Sequence, residues 1–199
     1  IIDGKGGADS MRGGAGNDYY TVDNRGDRVV EAAGGGIDRV NSLVDFQLSD
    51  NVETLVLYGT AGRGYGSNQA NTIVGNASNN VIDGRGGADS MRGGAGDDLY
   101  IVDNVGDRVV EGGNAGTDRV NSSVDFKLSA NVETLVLYGT ALKGYGNELA
   151  NVIYGNDSTN ILVGFEGSDL LSGEAGDDRP DGGDGNDTVI GGDGDDSIT

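Results

Sequence analysis

The chain has 199 residues, of which 39 are glycine, and its 33 acidic and 13 basic side chains give a formal charge of −20. Cysteine and histidine are absent, which excludes disulfides, thiolate metal sites, zinc proteases of the histidine type and histidine-dependent hydrolases. The charge also disfavours nucleic acid as a partner, and no apolar stretch approaches the roughly 18 residues that a membrane span needs. Since only 35% of the residues are hydrophobic, we predict that divalent cations help to order the chain.

Two periodicities organise the chain. A long unit over residues 1–80 returns over 81–160, and the segment 51–61 recurs unchanged at 131–141. Plain nine-residue units of the form G-G-x-G-x-D-x-U-x, with U a bulky apolar residue, occupy 161–199. Repeats that contact mainly their neighbours form solenoids. We therefore expect one continuous roll over residues 1–199, and we interpret the chain as an excerpt of a longer protein.

The nine-residue register continues through the long units as well. Its acidic slot holds aspartate at these positions: Asp9, Asp18, Asp27, Asp38, Asp89, Asp98, Asp107 and Asp118. Asparagine takes the slot ahead of each later glycine-rich block, at Asn71, Asn80, Asn151 and Asn160. The least regular part is 41–55 with its copy at 121–135, where alternating residues still predict strands. A small β-hairpin packed on the roll is the alternative for this part.

The composition of each nonapeptide predicts a turn followed by a short strand. Its six glycine-rich residues suit a turn with unusual φ angles, and its last three suit a strand. Two units then make one coil of 18 residues. The predicted fold is all-β, a right-handed parallel β-roll (β-solenoid) with two short-stranded parallel sheets and stacked glycine-rich turns. Apolar slots such as Ile153, Leu171, Val189 and Ile198 should face a thin core, and Pro180 should weaken one sheet locally.

The 18-residue coil places carboxylates in register between neighbouring coils. Asp169 should stack on Asp187, and Asp178 on Asp196. Such pairs repel unless a cation lies between them, and Ca²⁺ prefers a cage of roughly 6–8 oxygen ligands that carboxylates and glycine carbonyls can supply. Asp and Gly also favour turns without metal, but turn propensity does not explain the fixed spacing.

We therefore predict several Ca²⁺ ions as the cofactor. The predicted ligands are the acidic and glycine positions of the clearest repeats: Asp9, Asp18, Asp89, Asp98, Asp169, Asp178, Asp187, Asp196, Gly164, Gly167, Gly173, Gly176, Gly182, Gly185, Gly191 and Gly194. Asp27 and Asp107 are weaker candidates because their turns lack the glycines. The asparagine slots leave two possibilities open, a metal site or a stack of amides without metal.

At these residues the chain resembles the RTX, or hemolysin-type, calcium-binding repeat family. The segments 20–24, 26–31 and 51–55 are similar to spacer repeats of large bacterial RTX proteins. The resemblance implies type I secretion by a Gram-negative bacterium, with repeats that are disordered at low cytoplasmic calcium and fold outside the cell. It implies a secreted, extracellular or cell-surface location, and a secretion signal and capping segment beyond Thr199.

The first functional hypothesis is a calcium-binding structural module that serves as spacer, folding aid or secretion aid, with calcium ions and other domains of the parent protein as partners. The alternative is a carbohydrate-binding accessory module of a polysaccharide-modifying exoenzyme, which would make extracellular polysaccharide a partner. Its sugar-stacking candidates are Tyr58, Tyr65, Tyr138 and Tyr145, and its basic stripe would be Arg28, Arg39, Arg63, Arg108, Arg119 and Lys143. Catalysis by the chain is not expected, because every carboxylate pair belongs to the repeat and none has a distinct environment.

Overall fold

The computed structural model describes residues 1–113 and 115–199, and all regular structure in these residues is β. No helix in the described part is long and apolar enough to cross a membrane. The strands are β1 Ile2–Asp3, β2 Ser10–Met11, β3 Tyr19–Val22, β4 Arg28–Val29, β5 Arg39–Ser42, β6 Phe46–Gln47, β7 Thr54–Leu57, β8 Arg63–Tyr65, β9 Thr72–Val74, β10 Val81–Asp83, β11 Ser90–Arg92, β12 Leu99–Val102, β13 Arg108–Val109, β14 Arg119–Ser122, β15 Phe126–Lys127, β16 Thr134–Leu137, β17 Lys143–Tyr145, β18 Val152–Tyr154, β19 Ile161–Glu166, β20 Leu170–Ala175, β21 Arg179–Asp184 and β22 Thr188–Asp193.

Each strand pairs in parallel with the strands two before and two after it in the chain, so the 22 strands form about 11 coils of a β-solenoid. Odd-numbered strands make one layer and even-numbered strands make the other. Each layer is interrupted once in its backbone pairing, between β13 and β15 in the odd layer and between β4 and β6 in the even layer. The predicted parallel β-solenoid is confirmed.

The core lies between the two layers, and most strands contribute one or two inward side chains. The apolar slot of the nonapeptide points inward, since Ile153 and Leu171 are fully buried and Val189 packs against the same cluster. Tyr20 and Tyr100 are its largest members and have no exposed surface. Ile198 departs from the expectation, because its side chain is 54% exposed in the final turn.

The long repeat spans four and a half coils, which places its two copies on opposite faces. In the first copy β5 pairs with β7 in the odd layer, whereas the equivalent strands β14 and β16 pair in the even layer. The coil length between paired residues runs 18, 20, 15 and 18 in both copies, as in Ile2↔Tyr20, Tyr19↔Arg39, Arg39↔Thr54 and Thr54↔Thr72. These four coils and a further half coil of nine residues make up the 80-residue repeat. Each surface feature of the first copy therefore lies on the opposite side of the roll in the second copy.

The irregular segment 41–55 follows the same coil path. Its strands β5, β6 and β7 all pair in parallel, so the hairpin alternative is wrong. The interruption beside it is bridged by side chains: Ser49 Oγ donates to Val29 O at 2.6 Å, and Asn51 Nδ2 donates to Glu31 O at 3.3 Å. A long coil followed by a short one thus shifts the ladder without breaking the roll.

Pro180 occupies the inward slot that Tyr20 and Tyr100 hold in the earlier copies, and it is buried. It pairs with Leu162, and its neighbour Arg179 still donates to Asn160 O at 2.9 Å. Pro180 lies in β21, the end strand of its sheet, where a missing N–H removes no bond to the coil below. The expected weak point is therefore not visible as a gap in pairing.

Four turns carry a side chain at a backbone conformation that favours glycine. The second position of the nonapeptide turn has positive φ, as at Gly183 (φ 91°), and non-glycine residues there have similar angles. They are Lys5 (φ 57°), Arg85 (φ 60°), Phe165 (φ 79°) and Glu174 (φ 76°). An L-residue in this region is strained.

Glu174→Gly should therefore stabilise the roll in calcium by about 1 kcal/mol, since relief of the left-handed strain exceeds the entropic cost of glycine. Glu166→Gly is the matched control, because Glu166 is exposed and has an ordinary φ. The control should lose stability instead. Urea unfolding at saturating calcium measures both changes, and equal losses in the two variants would contradict the assignment of strain.

Candidate metal sites in the stacked turns

The acidic slots of successive coils are joined by hydrogen bonds between backbone and carboxylate. The backbone N–H of Asp169 donates to Asp187 Oδ1 at 2.9 Å, and that of Asp178 donates to Asp196 Oδ1 at 2.9 Å. Asn151 N–H donates in the same way to Asp169 Oδ1 at 2.7 Å. Each turn therefore lies directly on the equivalent turn 18 residues away, as the sequence spacing predicts, and each carboxylate uses one oxygen to hold the coil before it.

The second carboxylate oxygen has no partner. A buried Oδ2 without a hydrogen bond occurs at Asp9, Asp18, Asp38, Asp89, Asp98, Asp118, Asp169 and Asp178. Asp187 and Asp196 occupy the last turns and are half-buried. Within residues 1–113 and 115–199 the one salt bridge is the exposed pair Arg25–Asp45, so no basic side chain neutralises these oxygens. Buried charges without a partner are costly, and a cation bound in these turns would offset that cost.

The asparagine slots carry no charge and do not incur this cost. Asn71 Oδ1 accepts the N–H of Ser67 in its own turn at 2.7 Å, and its Nδ2 donates to Val52 O at 2.9 Å. Asn160 repeats the pattern with Asn156 N–H and Ala141 O. An amide can accept and donate at once, whereas an ionised carboxylate can only accept. The amides thus find partners within the protein, which favours the alternative without metal.

Asp27 and Asp107 are also satisfied by the protein. Asp27 Oδ1 accepts from Asp9 N–H at 3.0 Å, and its Oδ2 accepts from the N–H groups of Asp23 and Asn24 at 3.2 Å each. Asp107 makes the equivalent bonds in the second copy. Neither residue has an orphaned oxygen, which agrees with their weaker standing as metal ligands.

The first glycine of each turn gives the aspartate its space. A Cβ at Gly173 would overlap Asp178 Oδ2, and the same conflict exists at Gly164, Gly182 and Gly191 with the aspartate five residues later. The fourth position is limited by backbone instead, because a Cβ at Gly185 or Gly194 would overlap the carbonyl oxygen of Gly167 or Gly176 one coil below. The predicted glycines therefore bring carbonyls and carboxylate oxygens close together in each turn.

Two glutamates complete the hydrogen-bonded stack in the irregular segments. Asp38 N–H donates to Glu53 Oε2 at 2.7 Å, and Asp118 N–H donates to Glu133 Oε2 at 2.8 Å. The sequence reasoning missed both. The signal was present, since Glu53-Thr54-Leu55 is the D-x-U pattern with glutamate in place of aspartate.

Burial in a field of like charge alters the acidity of the second long repeat. The pKa of Asp89 is raised from an ordinary 3.8 to about 7, chiefly by burial and also by the charge of Asp107, against the lowering effect of the Asn71 N–H. Burial likewise raises the pKa of Asp98 to about 7, with the charge of Asp118 acting in the same direction. Metal-free turns therefore hold their carboxylates in an unfavourable state.

The donor set fits calcium. It consists of oxygen atoms only, the orphaned oxygens are anionic, and carboxylates are stacked in register at each edge of the roll. Calcium accepts such flexible all-oxygen sets. When bound, calcium would supply the positive charge that the stacked carboxylates lack.

A model of the RTX calcium-binding nonapeptide repeat matches the chain in four copies, over residues 1–24, 65–100, 145–180 and 181–199, which together exceed half of its length. The chain belongs to this family. The RTX model leaves out 25–64 and 101–144, although strands from these segments pair into the same sheets.

Two relatives come from Rhizobium meliloti (strain 1021). The RTX chain is 32% identical to endo-1,3-1,4-beta-glycanase ExsH over 97 residues, which are 49% of this chain and 18% of that protein. It is 33% identical to endo-1,3-1,4-beta-glycanase EglC over 66 residues, which are 33% of this chain and 14% of that protein. The similarity therefore concerns a small part of each glycanase.

Replacement of a first-position glycine should disrupt one turn. Gly173→Ala would force Asp178 Oδ2 out of its position, and we expect a loss of about 2–4 kcal/mol in calcium. Gly6→Ala is the control, since nothing lies within 4 Å of a Cβ there and its φ is not positive. Chemical unfolding of both variants checks this, and equal stability of the two would overturn the placement of Asp178.

Lowering the pH should increase the order of the calcium-free chain. The pKa of Asp89 and of Asp98 is about 7 in the folded state and about 4 in an unfolded chain, so the folded state binds protons more tightly in this window. This contribution is full below about pH 4 and is lost as the pH rises through about 7. Circular dichroism in chelator should show more β-structure at pH 5 than at pH 8, and Asp89→Asn/Asp98→Asn should reduce the difference.

Proposed function

We propose that this RTX chain is a calcium-dependent structural module of a longer secreted protein, which orders outside the cell and acts as a spacer or folding aid. The observation that supports this most directly is the set of buried carboxylate oxygens without partners at Asp89, Asp98, Asp169 and Asp178. The proposed ligands are the predicted aspartates of the glycine-rich turns together with carbonyls of their glycines. The asparagine slots and the pair Asp27 and Asp107 are left out of the proposed set.

The energetics support coupling of folding to metal binding. A thin core and a charge of −20 leave little to stabilise the roll in the absence of cations. Because the stacked carboxylates come together only in the folded chain, the free energy of calcium binding adds to the free energy of folding. Low cytoplasmic calcium would then keep the chain unfolded before export, and higher calcium outside would order it.

The relatives support a place beside other domains. Both are named endo-glycanases, and the matched parts are 18% and 14% of their lengths. We propose that residues 1–199 form one roll without catalytic activity, and that the partners of this roll are calcium and the remaining domains of its parent. The proposed location is extracellular or on the bacterial surface.

The geometry gives less support to the carbohydrate alternative. The face of Tyr65 is covered by Arg85, whose Cζ lies 5.5 Å from the ring centroid, and Tyr145 stacks on Phe165 at 6.3 Å. The exposed rings of Tyr58 and Tyr138 lie on opposite sides, because the long repeat spans four and a half coils. The basic residues are divided in the same way: Arg28, Arg63 and Arg119 lie in even strands, and Arg39, Arg108 and Lys143 lie in odd strands. The basic stripe that this alternative needs is therefore not formed.

Calcium titration tests the proposed function. Circular dichroism should show little β-structure in chelator and cooperative ordering as calcium is added. Asp178→Asn should bind fewer ions and lose about 3 kcal/mol of calcium-dependent stability per lost site at calcium a hundredfold above its Kd. Isothermal titration calorimetry gives the number of ions.

Asp157→Asn is the matched control, because Asp157 is exposed in the closed turn of Asn160 and its replacement removes the same charge. It should leave the number of bound ions unchanged. A β signal that is insensitive to chelator would refute calcium-coupled folding, and binding of an alginate or capsular glycan would favour the carbohydrate alternative.

A further inference from the structure

Two clusters of three carboxylates lie where the long turns of the spacer meet the nonapeptide turns. They are Asp18, Glu31 and Asp38 in the first copy, and Asp98, Glu111 and Asp118 in the second. In each cluster one carboxylate oxygen of every residue lies within 4.8 Å of those of the other two. The aspartates come from stacked acidic slots, whereas the glutamate comes from the start of a turn that is two residues longer than the nonapeptide turn.

The second cluster is buried and lacks compensation. Asp98, Glu111 and Asp118 are 2%, 8% and 0% exposed, and the Oδ2 atoms of both aspartates have no hydrogen-bond partner. None of the three forms a salt bridge within the part of the chain that the structure describes. Two nearly fully buried aspartates, each with an unpartnered oxygen, therefore lie beside a third carboxylate.

The glutamate is held in place by backbone and tyrosine donors. Glu111 Oε1 accepts from Gly93 N–H at 3.1 Å and from the hydroxyl of Tyr100, and its Oε2 accepts from Gly112 N–H at 3.2 Å. Glu31 makes the same bonds with Gly13 N–H at 3.0 Å and the Tyr20 hydroxyl, and adds Gly14 N–H at 3.2 Å. These donors fix the carboxylate position before any metal arrives.

The space left by the missing Cβ of the first glycine of the turn adjoins these groups. A Cβ at Gly93 would overlap both Asp98 Oδ2 and the hydroxyl oxygen of Tyr100. The orphaned oxygen, the tyrosine and the glutamate it holds thus border one small site. With all three carboxylates ionised the site has a charge of −3, which is more negative than that of a site shared by two stacked aspartates. The affinity for a hard cation such as Ca²⁺ depends on the charge of its ligands.

We propose that each cluster is a separate high-affinity site for a hard cation, Ca²⁺ or a trivalent lanthanide ion, in which Glu31 or Glu111 is a direct ligand contributed by the spacer. Tyr20 and Tyr100 are positioning residues that hold the glutamate. The proposal rests on the proposed function only in requiring that the coils be folded. Because the copies lie half a coil out of phase, the two sites lie on opposite edges of the roll.

Terbium luminescence tests this proposal on the full chain. The chain has no tryptophan, so emission excited at the tyrosine band reports Tb³⁺ bound near tyrosine, and Tyr20 and Tyr100 are next to the proposed sites. The unmodified chain should bind two Tb³⁺ ions more tightly than all others, with strong sensitised emission. Glu31→Gln/Glu111→Gln keeps an oxygen for the hydrogen bonds from Gly13 or Gly93 and from the tyrosine, and loses the bond that Oε2 accepts from Gly14 or Gly112. It should remove both tight sites and most of this emission.

Two further variants make the result specific. Tyr20→Phe/Tyr100→Phe removes only the hydroxyls that hold the glutamates and should weaken the two tight sites about 10–100-fold, the usual effect of losing a group that orients a ligand. Since phenylalanine does not absorb at the tyrosine band, isothermal titration calorimetry with Tb³⁺ measures the affinity of this variant. Glu148→Gln is the control, since Glu148 is exposed in an asparagine turn. It should leave number, affinity and emission unchanged.

The outcomes separate this inference from the proposed function. If circular dichroism still reports calcium-dependent folding but the double glutamate variant retains the same tight Tb³⁺ sites, this inference is wrong and the function stands. If no variant responds to calcium at all, the proposed function fails instead. Where the glutamate variant does not fold in calcium, the tyrosine variant decides, because an unchanged Tb³⁺ affinity there would overturn the role of the glutamates.

Discussion

The structure depends on one repeated interaction, the hydrogen bond from a backbone N–H in the acidic slot to the carboxylate of the slot one coil later. It recurs along the roll, as from Asp9 N–H to Asp27 and from Asp178 N–H to Asp196, and it is interrupted at Asp27, whose N–H donates to Asn24 O. The bond sets the stacking of turns and assigns different tasks to the two carboxylate oxygens. One carboxylate oxygen accepts the hydrogen bond that stacks the coils, and the other is left facing the turn. The interaction that stacks the coils therefore also leaves an oxygen whose charge a cation would neutralise.

The same backbone geometry serves two chemistries because aspartate and asparagine differ only in what the second atom can do. At Asn80 the Oδ1 atom accepts from Asn76 N–H and Nδ2 donates to Ala61 O, which closes the turn. At Asp98, one coil later, no donor is available for Oδ2. The proposed metal dependence therefore applies to coils with aspartate, whereas the amide of an asparagine coil already has partners within the protein. Both kinds of coil occur along the roll.

Much of this could be predicted from the sequence because the signal is periodic. A fixed spacing of nine residues determines strand, turn and the stacking of Asp169 on Asp187 without knowledge of any contact. What could not be predicted depends on exceptions to the period. Coil lengths of 20 and 15 carry Asp38 onto Glu53. The pattern Glu53-Thr54-Leu55 was present, but a period of nine does not reveal that a coil of 15 residues brings it into the slot. Whether Asn71 holds metal was likewise undecidable, since it depends on which groups surround its amide.

The exceptions to the period coincide with the places where the backbone ladder fails. Glu31 lies two residues after the end of β4, where the even layer is interrupted before β6. Glu111 lies two residues after the end of β13, where the odd layer is interrupted before β15. A longer turn there removes ladder hydrogen bonds, but it also brings a third carboxylate to a stacked aspartate pair. A cation bound by three carboxylates from two coils would link those coils between the paired strands that follow the aspartates and the interrupted layer that precedes the glutamate. In each long repeat the irregular turn would thus replace backbone hydrogen bonds with a metal link. The two links would lie on opposite edges of the roll.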